Sequence, residues 1–255
     1  MDAIASGADT PRAELGRLLE QHPAIWRGRS IARLETVPTG FTALDEALPG
    51  KGWPSAGLVE MLIPRVGVGE MYLLLPALAA LTHRPSARWC AWISPPFEPF
   101  APALAAHGIE LERLFVTRGE SSSWALEQSL ASGACEMVMA WAGKPAAAAR
   151  GVGKRVMASR PLARSHARKR NAELQAREIR RLQLAAEKGR TLGVLFRPLR
   201  AAREFSNAVL RVLVQPTEQG ARVTLLKSRG GQRGVIDLSW RSSSSSTSSP
   251  QAHGS

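Results

Sequence analysis

The sequence predicts an α/β fold: a mostly parallel sheet with helices on both faces, preceded by a helical lead-in and followed by a serine-rich tail. Three observations predict it. Apolar runs of strand length alternate with helix-like segments between residues 57 and 196, the pattern of parallel strands joined by crossovers. Those runs are apolar at nearly every position, as strands covered on both faces must be. Near the end, residues 210–214 and 223–226 flank the turn residues 216–220 and read as a β-hairpin that extends one edge.

Taken in order, residues 1–36 form a lead-in. A short amphipathic helix spans 13–19, His22-Pro23 interrupts it, and Ile25, Trp26, Ile31 and Leu34 pack it on the body. The core domain is expected to run from 37 to 240. Within it, 41–48 is a short helix with Phe41, Leu44 and Leu48 on one side. Residues 49–52 are a loop, 57–63 a strand, 64–69 a glycine loop and 70–81 a helix. Residues 88–93 are a buried strand, closed by Pro95, Pro96 and Pro99. A helix at 101–107 stops at Gly108. A strand at 114–116, a helix at 123–131 ended by Gly133, and a strand at 137–141 follow. The segment 143–172 is rich in Ala, Gly and Arg and reads as a flexible insertion. A helix at 173–188 is capped by Gly189 and leads into a strand at 191–196. Residues 227–234 read as a mobile cationic stretch, and 241–255 as a disordered serine-rich tail.

Composition bounds the function. The 255 residues are 44% hydrophobic, enough for one sizeable globular domain. No apolar run reaches about 18 residues, so no membrane span is expected. Residues 1–20 carry four acids and lack the pattern of a signal peptide, which suggests a cytoplasmic protein. Cys90 and Cys135 sit in apolar runs and read as buried, reduced thiols. The five histidines, at 22, 83, 107, 166 and 253, form no ligand cluster, so no metal and no cofactor is expected. The net charge is +13, which suggests an acidic partner such as DNA. Nine of those charges fall between 144 and 170 with no acid among them: Lys144, Arg150, Lys154, Arg155, Arg160, Arg164, Arg168, Lys169 and Arg170. This run, together with Lys227, Arg229 and Arg233, is the candidate nucleic-acid or partner contact. A solvated loop is an equal alternative for the insertion. The aromatics Trp89, Trp92, Phe97, Phe100, Trp124 and Trp141 are expected mostly to fill the core.

The strand–glycine loop–helix order around residue 64 is the setting of a nucleotide phosphate loop, whose working pattern is Gly-x-x-x-x-Gly-Lys-Ser/Thr. Here the loop reads Pro64-Arg65-Val66-Gly67-Val68-Gly69-Glu70-Met71. Pro64 replaces the first glycine and lacks an N–H. Glu70 stands where the pattern has lysine, and Met71 where it has a Mg²⁺-binding hydroxyl. A carboxylate placed against a phosphate repels it by on the order of 4 kcal/mol per charge pair at moderate dielectric. The loop is therefore expected not to bind ATP in the ordinary way.

Residues 38–60, with Thr39-Gly40, Leu44-Asp45, Gly50-Lys51-Gly52-Trp53-Pro54 and Gly57-Leu58-Val59-Glu60, resemble the start of the RecA recombinase core. Cys90-Ala91-Trp92-Ile93 and Ser132-Gly133-Ala134-Cys135-Glu136 resemble two later strands of that family. By that resemblance the water-activating glutamate and its preceding acid stand at Pro96 and Ser94, and the Mg²⁺-organising acid at Trp141. Catalysis is thus expected to be lost, and Trp141 to plug the vacated cleft. The chain is identified further as similar to the ImuA family of translesion-synthesis accessory proteins. The segments that carry the similarity are 22–28, 73–78, 91–96, 124–128, 181–187 and Gly193-Val194-Leu195-Phe196-Arg197-Pro198. The resemblance implies a nucleoid-associated adaptor in SOS mutagenesis and DNA repair. Its implied partners are a catalytically inactive Y-family polymerase homologue (ImuB), an error-prone replicative-type polymerase, and RecA. The alternative is a SulA-like division inhibitor that binds the bacterial tubulin homologue.

Overall fold

The computed structural model describes residues 35–86, 88–118, 122–142, 174–228 and 233–240. The lead-in before Glu35, the insertion 143–172 and the tail 241–255 therefore lie outside the described residues.

Two short strands, β1 (Thr36–Val37) and β2 (Trp53–Pro54), pair antiparallel and bracket helix α1 (Thr42–Ala47). The main sheet follows: β3 (Gly57–Ile63), helix α2 (Leu75–Thr82), β4 (Trp89–Ile93), helix α3 (Ala101–Ala106), β5 (Leu114–Thr117), helix α4 (Ser122–Ala131), β6 (Cys135–Trp141), helix α5 (Ala176–Gly189), β7 (Leu192–Pro198), β8 (Leu210–Pro216), β9 (Gly220–Ser228) and β10 (Gly234–Ser239). Its order is β10-β9-β8-β3-β7-β6-β4-β5, parallel from β8 to β5 and antiparallel across β8, β9 and β10. This is the α/β architecture that the alternating apolar runs predict.

The strands bury side chains on both faces, which is why β3 is buried at all seven positions. One face of the sheet holds Met61, Met139, Val194 and Phe196, on which Leu44 of α1 and Leu78 of α2 pack. The other holds Leu58, Ala91 and Val138, on which Leu130 of α4 and Ile179 of α5 pack. Gln183 of α5 reaches the sheet, where its buried Oε1 accepts the Leu58 N–H at 2.9 Å. Among the described residues, no helix is long and apolar enough to cross a membrane.

An ion cluster ties three neighbouring strands. Glu60 in the middle of β3 is fully buried. Its Oε1 accepts from Arg197 of β7 at 2.7 Å, and its Oε2 from Arg211 of β8 at 2.5 Å. The second Arg197 amine donates to Glu204 at 2.6 Å, while Arg211 also holds the carbonyls of Ala201 and Glu204. One buried anion thus fixes both flanking strands and the 3₁₀ turn Leu199–Arg203 between them.

Several local expectations need correction. The stretch 227–234 is not a mobile tail where it is described: Lys227 and Ser228 finish β9, and Gly234 opens β10. Its alternation of exposed Val235 and buried Leu238 is that of an edge strand. Helix α5 starts at Ala176 and not at 173, because Gln175 and Glu178 form a reciprocal capping box. Arg190, with φ +50°, is its left-handed cap, and Gly189 lies inside the helix. Trp89, Phe97, Phe100 and Trp124 do not fill the core but stand exposed. Trp89 opens β4 beside the edge strand, and Phe97 and Phe100 ride the proline-broken loop. Trp124 lies on α4 opposite its buried residues Leu126 and Leu130.

Cys90 and Cys135 are both buried and unbridged. Burial, helped by the charges of Cys135 and Glu136, pushes the Cys90 thiol from 9.0 up to about 12. The unfolded chain loses this proton near 9 while the native protein keeps it. The native state therefore binds more protons between those values, and stability falls as pH rises from 9 toward 12. Urea midpoints measured across that range should decline more steeply in the wild type than in Cys90→Ala.

Candidate functional site

Strand β3 ends at Ile63, and the chain turns through Pro64–Gly69 with Gly67 at φ +83° and Gly69 at φ +95°. Both angles lie in the left-handed region that side chains rarely adopt, so the loop needs glycine at these two places. The turn aims the N–H groups of Gly67 and Val68 at one point, the kind of backbone concavity that holds an anion. The anion is Glu70. Its Oε1 accepts the Gly67 N–H at 2.8 Å and its Oε2 the Val68 N–H at 2.7 Å. The carboxylate is 1% exposed. The loop closes on its own side chain.

This closure explains why the helix expected from Glu70 does not begin there. Glu70 spends its side chain on the loop, residues 70–74 are turns, and α2 starts at Leu75. Pro64 and Arg65 are exposed, while Met71 packs on the core with Val66 and Val68.

The neighbouring strand ends carry no acid. Ser94 follows β4 with φ +49° and shares a 2.7 Å hydrogen bond between its hydroxyl and that of Ser122. Pro96 is half-buried. Trp141 ends β6 and stacks on Phe196, ring centroids 4.8 Å apart and 18° between planes, and meets Trp92 edge-on at 6.0 Å. Its ring packs against the same core as Val66, Val68 and Met71. The indole nitrogens of Trp92 and Trp141 are buried and find no hydrogen-bond partner among the described residues.

Trp240, just past β10, presses on Gly69 from outside: a Cβ built there would lie 2.7 Å from the Trp240 ring. Trp240 also packs on Tyr72 and Phe41, at 4.7 and 5.9 Å between centroids. These rings, with His107, line an open cleft of about 540 Å³ beside the loop. Sequence reasoning missed Tyr72 and Trp240. The single tyrosine directly after the loop was a signal, whereas Trp240 needs the strand that carries it to be recognised.

Of the basic candidates, only Lys227 and Arg233 are described. Lys227 donates to the Ser206 carbonyl at 2.8 Å, and Arg233 is exposed just before β10. Lys144, Arg150, Lys154, Arg155, Arg160, Arg164, Arg168, Lys169, Arg170 and Arg229 lie outside the described residues. Among the described residues, no three His, Cys, Asp or Glu side chains gather as metal ligands.

Removing the Glu70 carboxylate leaves two amides without their acceptor. Glu70→Ala is expected to destabilise the fold by roughly 1–3 kcal/mol, read as a lower denaturation midpoint. Glu70→Gln, which keeps one acceptor oxygen, should lie between it and the wild type.

In class, the molecule is an α/β protein with a mostly parallel sheet whose first central strand runs into a self-filled anion loop. No family model and no curated protein matches the chain. Among solved structures it is similar to the crystal structure of SulA from Pseudomonas aeruginosa, at 20% identity over 55% of this chain and 97% of that one, with a TM-score of 0.36.

Proposed function

We propose that this chain is a non-catalytic accessory protein of damage-inducible translesion synthesis, a RecA-like frame used as an adaptor without nucleotide chemistry. The observation that carries the non-catalytic half is the seat of Glu70: the amides that would cradle a phosphate are already satisfied by a buried carboxylate of the same loop. Ser94, Pro96 and Trp141 at the adjoining strand ends offer neither a base nor a metal ligand. The pathway rests on the resemblance to the ImuA family. It names a Y-family polymerase homologue (ImuB) as the first partner, with an error-prone replicative-type polymerase and RecA beside it. DNA contact through the basic segment 143–172 fits the same role.

The purified protein should show no ATP turnover above background, with or without DNA. Glu70→Lys alone should not restore it, because no general base returns with the lysine. DNA-stimulated hydrolysis by the wild type overturns this reading. The pathway is tested by affinity capture from DNA-damaged cells: recovery of the Y-family polymerase homologue supports it, and recovery of the division tubulin homologue in its place supports the SulA-like alternative.

A further inference from the structure

Two exposed rings flank helix α5. Trp124 on α4 is 66% exposed, and Phe205, in the segment between β7 and β8, is 73% exposed. The contacts of α5 set cations between them. On one side Arg181 pairs with Glu127 of α4, and further along both helices Gly189 lies against Leu130. The helices therefore run in the same direction, and one turn before the ion pair Trp124 comes beside Arg177. On the other side Arg197 donates to the Leu174 carbonyl at 3.2 Å. A Cβ built at Gly57 would lie 3.0 Å from Val209 and 3.2 Å from Gln183. The chain from 197 to 209 thus follows α5 from 174 to 183, with Phe205 on it. Arg180 precedes Gln183 by one turn and lies on that side. In the 3₁₀ turn Leu199–Arg203, Arg200 and Arg203 are three apart and share one edge. Arg177, Arg180, Arg200 and Arg203 are all exposed.

The acids of these elements are turned to other partners. Glu127 pairs with Arg181, and Glu178 accepts the Gln175 N–H at 2.8 Å. Glu187 accepts from Gln183 at 2.8 Å, and Glu204 from the buried Arg197 at 2.6 Å. Arg177, Arg180 and Arg203 form no ion pair among the described residues. A row of guanidinium groups calls for a polyanion, and a ring at each end calls for flat faces carried by that polyanion. An acidic peptide run supplies the charge without the row of rings, and a duplex keeps its bases inside the stack. An unpaired strand offers phosphates and open base faces together.

We propose that this row binds single-stranded DNA, with Trp124 and Phe205 stacking on bases and Arg177, Arg180, Arg200 and Arg203 on the phosphates between them. The choice of DNA over RNA rests on the damage-tolerance role proposed above; the surface itself does not.

Fluorescence anisotropy of a labelled oligothymidylate of about 20 nucleotides, titrated with the full chain, tests this. Far-UV circular dichroism confirms that each variant folds. The wild type should bind the single strand more tightly than a duplex of equal length at equal salt. Trp124→Ala and Phe205→Ala should each weaken binding about tenfold, and Phe205→Tyr by less than about threefold. Exchanging the four arginines for glutamine should flatten the plot of log affinity against log salt by about three. The segment 143–172 stays in every variant, so any binding it supplies is common to all. Affinity indifferent to both ring substitutions, with an unchanged salt slope, overturns the surface and leaves the adaptor reading, which is tested by partner capture, as it was. Tighter binding of an oligouridylate overturns the assignment to DNA. A wild type that does not bind the oligothymidylate, or binds polyglutamate of equal charge as tightly, overturns the proposal as a whole.

Discussion

Replacing Glu60 by alanine is expected to destabilise the protein by about 3–5 kcal/mol, one of the two largest single-site effects anticipated in the molecule. The reason is the asymmetry of buried ion pairs. Glu60 is fully buried between Arg197 and Arg211, themselves 2% and 6% exposed. Removing the anion leaves two guanidinium groups in the interior with, among the described residues, only Glu204 at the rim to balance them. A group that cannot ionise away, as arginine cannot, meets that cost in full. Glu60→Gln should fall between alanine and the wild type, since it keeps the shape and one acceptor but not the charge. Replacing the three members together by Leu and Met of similar volume should recover much of the loss, because no charge is then stranded. Urea midpoints at constant m-value measure all three. A loss below about 1 kcal/mol for Glu60→Ala means that water reaches the cluster.

The second large effect runs against helix propensity. Gly189 lies at the end of α5, and an alanine in an open helix is about 1 kcal/mol better than glycine. Here a Cβ would lie 1.9 Å from the Leu130 carbonyl oxygen of α4, and that obstacle is backbone. The two helices have to part, which loosens the face holding Leu130 and Ile179. Gly189→Ala is expected to cost about 3 kcal/mol, a fall of roughly 6–12 °C in Tm for a chain of this size. A melting temperature at or above that of the wild type means the helices are not held this close.

The central sheet was legible because continuous apolar runs such as 57–63 and 137–141 have few other solutions in a chain this long. The terminal strand was not. Gly234-Val-Ile-Asp-Leu-Ser follows a run of glycines and cations, and its pairing with β9 is a tertiary fact. The cluster at Glu60 was invisible for a related reason: its partners lie 137 and 151 residues away, and no local pattern announces a contact at that range. At the loop, the sequence showed the reversed charge at Glu70 but not where the charge goes. A side chain that folds back three residues to fill its own turn, and so delays the helix to Leu75, competes with helix propensity in a way that spacing does not reveal. The exposed aromatics were misjudged because composition counts rings without saying which end of a strand they occupy.

The seat of Glu70 bears on how this protein lives with its solutes. The Glu70 carboxylate is tethered three residues from the Gly67 amide, so its contact with that amide is intramolecular and independent of any solute's concentration. Folded proteins that need a nucleotide gain and lose population as its concentration rises and falls. A loop that carries its own counter-anion has its amides satisfied from within, so its closure does not draw on the phosphate or nucleotide supply.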